Sequence, residues 1–283
     1  MVARALPRPM AAATARSLGL AMAQAMRGRR ELVARHVQRV HGDSLGPVAL
    51  RREVQRAFDS YARYWMEVFR LPSMSRAELA ASLVPEDLEL LTDALALGKG
   101  AILTIPHLGN WDLGGAWLGQ RGVPITAVAE PLDPPELFDW FVAFREALGV
   151  KIVPLGAAAG TAVLRALKAG EVVGLICDRD LAGGGAEVTF FGERTTLPAG
   201  PATLALRSGA PLLPVAIYFD GPTGHRGVVR PPVAVERTGR LRDDVARVTQ
   251  AVADELELLI RRAPHQWHLF QPNWPSDRVV APR

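Results

Sequence analysis

From residue 98 onward the chain repeats one pattern: a short apolar run, a break, then an amphipathic stretch. Runs at 101–105 (AILTI), 123–129, 150–155, 172–177 and 211–219 are five to nine residues long and read as buried strands. The stretches between them at 135–148, 161–169 and 198–208 read as helices, and 241–263 as a long final helix. Strands alternating with helices in this way imply a sheet whose two faces are both covered. The predicted class is α/β, with a central mixed, mostly parallel sheet flanked by helices. A further run at 228–235 contains Pro231 and Pro232, which predicts an edge position, where a missing amide donor is tolerated.

The first 98 residues read as a helical extension, and 99–283 as the α/β core, the two forming one compact unit. Helices are predicted at 10–26, 31–40 and 48–70. The last carries Val54, Phe58, Tyr61, Tyr64, Trp65 and Phe69 on one stripe and is closed by Pro72. Pro85 is expected to open another helix, ended by Gly98. This extension is basic: Arg4, Arg8, Arg16, Arg27, Arg29, Arg30, Arg35 and Arg39 face one acid, Glu31, within the first forty residues. Such an end suits an anionic bilayer, a nucleic acid or a solvated face. Few lysines and no recognition motif argue against nucleic acid: only Lys99, Lys151 and Lys168 are lysine among 33 basic residues.

The longest stretch without an ionisable side chain, 152–164, has 13 residues, whereas a spanning helix needs about 20. The apolar run at 17–26 is hemmed by Arg16 and Arg27 and makes a poor secretory signal. The single cysteine, Cys177, excludes an internal disulfide framework and a cysteine-based zinc cluster.

The sharpest local feature is Pro106-His107-Leu108-Gly109-Asn110-Trp111-Asp112. A buried strand ends at Ile105, a histidine follows in the turn, and Asn110 is a good helix cap. This sets the histidine outside the carboxyl end of a strand, where α/β proteins often place ligands. Asp112 falls in the first helical turn, favoured by the helix dipole, and can turn back toward the imidazole. A His–Asp pair suits general base work on a hydroxyl. One histidine and one aspartate are too few ligands for a metal. Cys177 is a rival nucleophile, but a cysteine ending an apolar strand is more often a packing residue.

The run His107 to Asp112 resembles the histidine–four residues–aspartate motif of glycerolipid and lipid A acyltransferases. The blocks PHLGNWDLGGAWL, VAEPLDPPELFDWFVAFREALGVKIVPL, GLICDRDLAGGGAEVTFFGERTTLPAGPATLALRSGAPLLPV and WHLFQPNW follow in that family's order. Together they make the chain similar to the bacterial lipid A lauroyl acyltransferase-like family, closest to its actinobacterial phosphatidylinositol mannoside branch, over roughly residues 45–275. The resemblance implies acyl-CoA as donor, palmitoyl-CoA in particular, with no further cofactor. It implies an anionic glycolipid acceptor with a mannose hydroxyl, and a peripheral, monomeric enzyme on the cytoplasmic face of the inner membrane. Lipid A precursors, lysophospholipids or water, the last making a thioesterase, are the alternative acceptors.

The same resemblance implies site roles. His107 deprotonates the hydroxyl and Asp112 orients it, with direct attack on the thioester. Glu130 matches an acid near the histidine on the acceptor side. Arg145 is a phosphate contact, against a surface salt bridge to Glu146 or Asp139. Asp178-Arg179-Asp180, ending a strand before Gly183, Gly184 and Gly185, is expected to line a cleft, with Arg179 a second phosphate candidate. A second acid supporting the histidine is Glu187, or else Asp180, with Glu193 a weaker choice. Leu108, Trp111, Leu113, Trp117, Phe190 and Phe191 are candidate walls for the acyl chain. Trp267 and Trp274 either rest at a bilayer interface or cap the fold.

Overall fold

The computed structural model describes residues 8–181 and 183–278; Arg4 of the basic end lies outside them. Three helices come first: α1 (Arg8–Ala25), α2 (Arg27–His41) and α3 (Pro47–Arg70). On α3 the buried residues Val54, Ala57, Phe58, Tyr64 and Val68 recur at helical spacing, so one stripe faces inward. Gly19 lets α1 cross α3 closely: a Cβ there would lie 2.8 Å from the Asp59 Cα. A short α4 (Arg76–Ala81) follows, opened by a reciprocal Ser75–Glu78 capping box.

Seven strands form the main sheet: β1 (Leu83–Glu86), β2 (Ala101–Ile105), β3 (Ile125–Ala129), β4 (Val150–Pro154), β5 (Val172–Ile176), β8 (Leu212–Asp220) and β9 (Gly224–Val229). Their order is β1-β9-β8-β2-β5-β3-β4. All neighbours are parallel except β8 and β9. A separate antiparallel hairpin pairs β6 (Ala186–Phe190) with β7 (Glu193–Leu197). The α/β class with a mostly parallel sheet and a helical N-terminal region is what the sequence predicts.

Two edge assignments are corrected. The strand expected at 228–235 is β9, which ends at Val229 and lies inside the sheet between β1 and β8. The prolines sit beyond it, so they remove no ladder bond. The true edge on that side is β1, and Pro85 belongs to it instead of opening a helix. Helix α5 (Glu89–Ala96) starts after the turn at Asp87.

The remaining helices cover the two faces. One face packs α6 (Trp111–Gln120) and α7 (Pro135–Ala147) with the end of α3 and with α5. The other packs α8 (Ala159–Lys168), α9 (Gly200–Ser208) and α10 (Leu241–Arg262) with the hairpin and the tryptophans Trp267 and Trp274. Both tryptophans are buried, Trp274 completely, so they cap the fold and do not rest at an interface. A four-residue helix, α11 (Pro275–Arg278), follows. Phe190 and Phe191 belong to the same core as these tryptophans.

Candidate active site

His107, Glu130 and Asp178 all follow the carboxyl ends of parallel strands, β2, β3 and β5. The β2 exit is tightly specified. Gly109 has φ +60°, and its amide donates to the Gln266 carbonyl at 2.9 Å. A Cβ on Gly109 would lie 1.8 Å from the Ile217 carbonyl oxygen, so no other residue fits. Asn110 caps α6 by accepting from the Leu113 amide at 3.0 Å. Its own amide donates to Glu67 on α3 at 2.9 Å, and Glu67 also pairs with His225 at 2.8 Å. Burial opposes ionisation of Glu67, but His225 and Arg63 hold its carboxyl below the usual range.

The carboxylate on the histidine is Asp178, not Asp112. His107 Nδ1 lies 2.6 Å from Asp178 Oδ1, and the His107 amide donates to Asp178 Oδ2 at 2.9 Å. The Trp267 indole donates to that same oxygen at 2.7 Å. Asn273 donates to the Asp178 carbonyl at 3.0 Å. Asp178 is fully buried while the His107 side chain keeps 27% exposure. Burial opposes the charge, yet His107 and Trp267 hold the Asp178 carboxyl below its ordinary range. An ionised Asp178 fixes the proton on Nδ1 and leaves Nε2 as the acceptor.

Asp112 has other partners. It accepts from the Tyr64 hydroxyl at 2.7 Å and from Arg145 through Nε at 2.7 Å and Nη2 at 3.3 Å. This corrects the expected turn of Asp112 toward the imidazole. The first turn of α6 does hold the carboxylate, but α3 and α7 supply its donors. Arg145 is raised above its usual value: burial lowers it, but Asp112 and Tyr64 prevail. Burial, then Asp112, pushes the Tyr64 hydroxyl well up.

The other predicted residues divide. Glu130 and Arg179 meet at 3.2 Å, and Arg179 Nε is buried without a partner. Asp180 braces the glycine loop, accepting from the amides of Gly183 at 3.1 Å and Gly185 at 2.9 Å and from the Thr196 hydroxyl at 3.0 Å. Glu187 is 74% exposed on the hairpin and pairs across it with Arg194 at 2.7 Å. Glu193 ties the hairpin to Arg39 of α2 at 2.9 Å. Neither hydrogen-bonds His107. Cys177 is buried, and burial pushes its thiol well up, which does not suit a nucleophile.

An apolar cavity of about 110 Å³ lies between α6 and the sheet. Ile105, Trp111, Trp117, Leu118, Ile176 and Ile217 line it, together with Asp112 and Arg145. Trp111 also meets the His107 ring edge-on, centroids 5.5 Å apart, so the indole stands between the cavity and the histidine. Of the expected walls, Trp111 and Trp117 are here, whereas Leu108, Phe190 and Phe191 lie in the core on the opposite face. Leu113 lines a wider open groove of about 1210 Å³ along α3. That groove does not reach His107, and among the six arginines that line it Arg56, Arg63, Arg226 and Arg262 are paired with Glu53, Glu67, Asp220 and Glu86.

A model of the family described as bacterial lipid A biosynthesis acyltransferase matches residues 1–276. The chain is 44% identical over 226 residues to a phosphatidylinositol mannoside acyltransferase of Mycobacterium tuberculosis, covering 78% of this chain and 70% of the relative. It is 40% identical over 279 residues to the protein of that name from Mycolicibacterium smegmatis, covering 97% and 88%. A lipid A biosynthesis acyltransferase of Haemophilus influenzae is 30% identical over 193 residues, 64% of this chain and 55% of that one. The chain belongs to the bacterial lipid A biosynthesis acyltransferase family, and it is an enzyme of the acyl-group transferase class.

Proposed function

We propose that the enzyme moves a fatty acyl group from acyl-CoA, palmitoyl-CoA in particular, to a mannose hydroxyl of phosphatidylinositol mannoside. The observation that carries the mechanism is the 2.6 Å contact between His107 Nδ1 and buried Asp178, with Trp111, a wall of the apolar cavity, against the His107 ring. His107 Nε2 takes the hydroxyl proton while the oxygen attacks the thioester carbonyl. The new C–O bond forms, the C–S bond breaks, and the proton passes from Nε2 to the departing thiolate of CoA. Asp178 holds the tautomer and stabilises the imidazolium. The acceptor is supported by the names of the mycobacterial relatives.

The acyl chain occupies the apolar cavity in this reading, since each buried methylene contributes ~0.8 kcal/mol. Glu130 and Arg179 receive the acceptor headgroup. The unpartnered Arg179 Nε supports a phosphate contact. Arg145, engaged by Asp112, acts by holding α6 against α7. Asp180 shapes the loop and Glu187 has no part in the reaction.

The enzyme works as a peripheral protein on the cytoplasmic face of the inner membrane. Exposed Leu132, Leu137 and Trp140, with Phe69 6.0 Å from Trp140, support an apolar rim that dips into lipid. No described helix is long and apolar enough to cross a membrane. The test is thiol release from palmitoyl-CoA with phosphatidylinositol mannoside, with a lipid A precursor, and with neither. Release dependent on the mannoside, with acylated product, is the expected result. Release that ignores the acceptor would overturn the reading in favour of a thioesterase.

A further inference from the structure

We infer that Trp267 is a positioning residue: its indole N–H sets how readily the His107–Asp178 pair takes up a proton, which makes the C-terminal segment part of the site. The inference deepens the acyl-transfer reading above and rests on it. The backbone fixes Trp267 against the histidine. It faces Leu108 across an antiparallel bridge. On either side of it, the His268 amide donates to the His107 carbonyl at 2.6 Å, and the Gln266 carbonyl accepts from the Gly109 amide at 2.9 Å. The ring is buried against Phe191, His36 and Phe190, centroids 5.6, 5.8 and 6.1 Å away.

A buried indole needs an acceptor, and a backbone carbonyl is enough. Trp274 donates to the Phe190 carbonyl at 3.1 Å, and Trp117 to the Ala80 carbonyl at 3.3 Å. Trp267 donates instead to a buried carboxylate, at 2.7 Å, and that carboxylate is the partner of the base.

Among the described residues no arginine or lysine touches the Asp178 carboxylate, which accepts from the His107 ring, the His107 amide and the Trp267 indole. The imidazolium is thus the one cation it meets. Proton uptake takes the pair from one negative charge to none, wherever the proton sits. A donor to the anionic form resists that uptake. The indole therefore keeps His107 Nε2 free as an acceptor to lower pH. The ionisable groups around the pair have other engagements or no charge. Burial pushes the Cys177 thiol up and His268 down to about 3, so both are neutral. His36 and Arg39 hold Asp277, Arg179 meets Glu130, and Arg145 meets Asp112.

The test is the pH profile of kcat/KM for palmitoyl-CoA with phosphatidylinositol mannoside, wild type against Trp267→Phe, from pH 5 to 9. The acid limb should move up by about one pH unit, so that several-fold more activity is lost at pH 6 than at pH 8.5. A limb that stays in place, with activity unchanged or lowered equally at every pH, would overturn the inference and leave Trp267 a packing residue. NMR without substrate reads the pair without turnover. The His107 Cε1–H resonance should titrate at higher pH in Trp267→Phe, and in wild type the Trp267 Nε1–H resonance should titrate together with it. A wild-type indole resonance that ignores the His107 titration would overturn the inference even if Trp267→Phe does not fold. A wild type that transfers to no acceptor, with both titrations as expected, would sink the acyl-transfer reading and keep the role of Trp267.

Discussion

Two aspartates near one histidine do different things, and their surroundings decide which. Asp178 is fully buried and spends its oxygens on the His107 ring, the His107 amide and the Trp267 indole. Asp112 spends its own on Arg145 and Tyr64, joining three helices. Asp178→Asn should lower kcat by ~100-fold or more with little change in KM, because the imidazole loses its orienting charge. Asp112→Asn should act first on stability, costing ~2–3 kcal/mol by leaving Arg145 without its counter-charge. Steady-state kinetics and thermal melts on the two variants separate these roles. A stable Asp178→Asn enzyme with normal kcat, or an Asp112→Asn protein with unchanged Tm, would contradict this division. The sequence shows both residues but not their partners. The DRD run was legible as charge at a strand end. That Asp178 faces His107 follows only from register: Ile105 pairs with Ile176, so the residues just beyond the two strands meet.

At the scale of elements, much of the α/β core was readable because apolar runs and helical stretches alternate with clear breaks. What escaped were elements whose reason lies in their neighbours. β1 reads locally as a helix start, and becomes a strand because β9 offers it a parallel edge. In the β6–β7 hairpin β6 alternates (AEVTF) but β7 (ERTTL) is polar up to Leu197, and packing on α10 and Trp274 supplies its buried face. The cavity was legible on its helix side, through Trp111 and Trp117, but not on its sheet side, since which sheet face a side chain takes depends on register. The turn between β2 and α6 was legible as a turn, but not as a clamp. Gly109→Ala should lower stability by ~3 kcal/mol or more, as left-handed strain adds to collision with the Ile217 carbonyl. That corresponds to a Tm fall of ~5 °C or more by calorimetry. A variant that melts within a degree or so of wild type would refute the fit described for Gly109.

Over the whole molecule, the N-terminal helices hold the segment that in turn holds the site. His36 on α2 bridges the Leu269 carbonyl and Asp277, each at 3.0 Å. Asp277 accepts from the Asn273 and Trp274 amides at 3.0 and 3.1 Å. Asn273 and Trp267 then grip Asp178. Acidification tests this buried layer. Burial, with help from His107 and His265, pushes His268 down to about 3. The unfolded chain takes up that proton below about 6.5 and the folded chain does not. The unfolded state thus binds more protons between these values, and stability falls as pH drops through that window, by at most ~1.4 kcal/mol per unit. In His268→Gln, which cannot titrate, the fall in Tm between pH 6.5 and 5 should be shallower than in wild type. Parallel curves would show that His268 does not carry this dependence.

The most direct measurement is acceptor-dependent CoA release from palmitoyl-CoA by wild type and His107→Ala at equal concentration, with folding checked by Tm. The account predicts release that needs phosphatidylinositol mannoside and drops by ~100-fold or more in the variant. Undiminished transfer by a folded His107→Ala enzyme would contradict it.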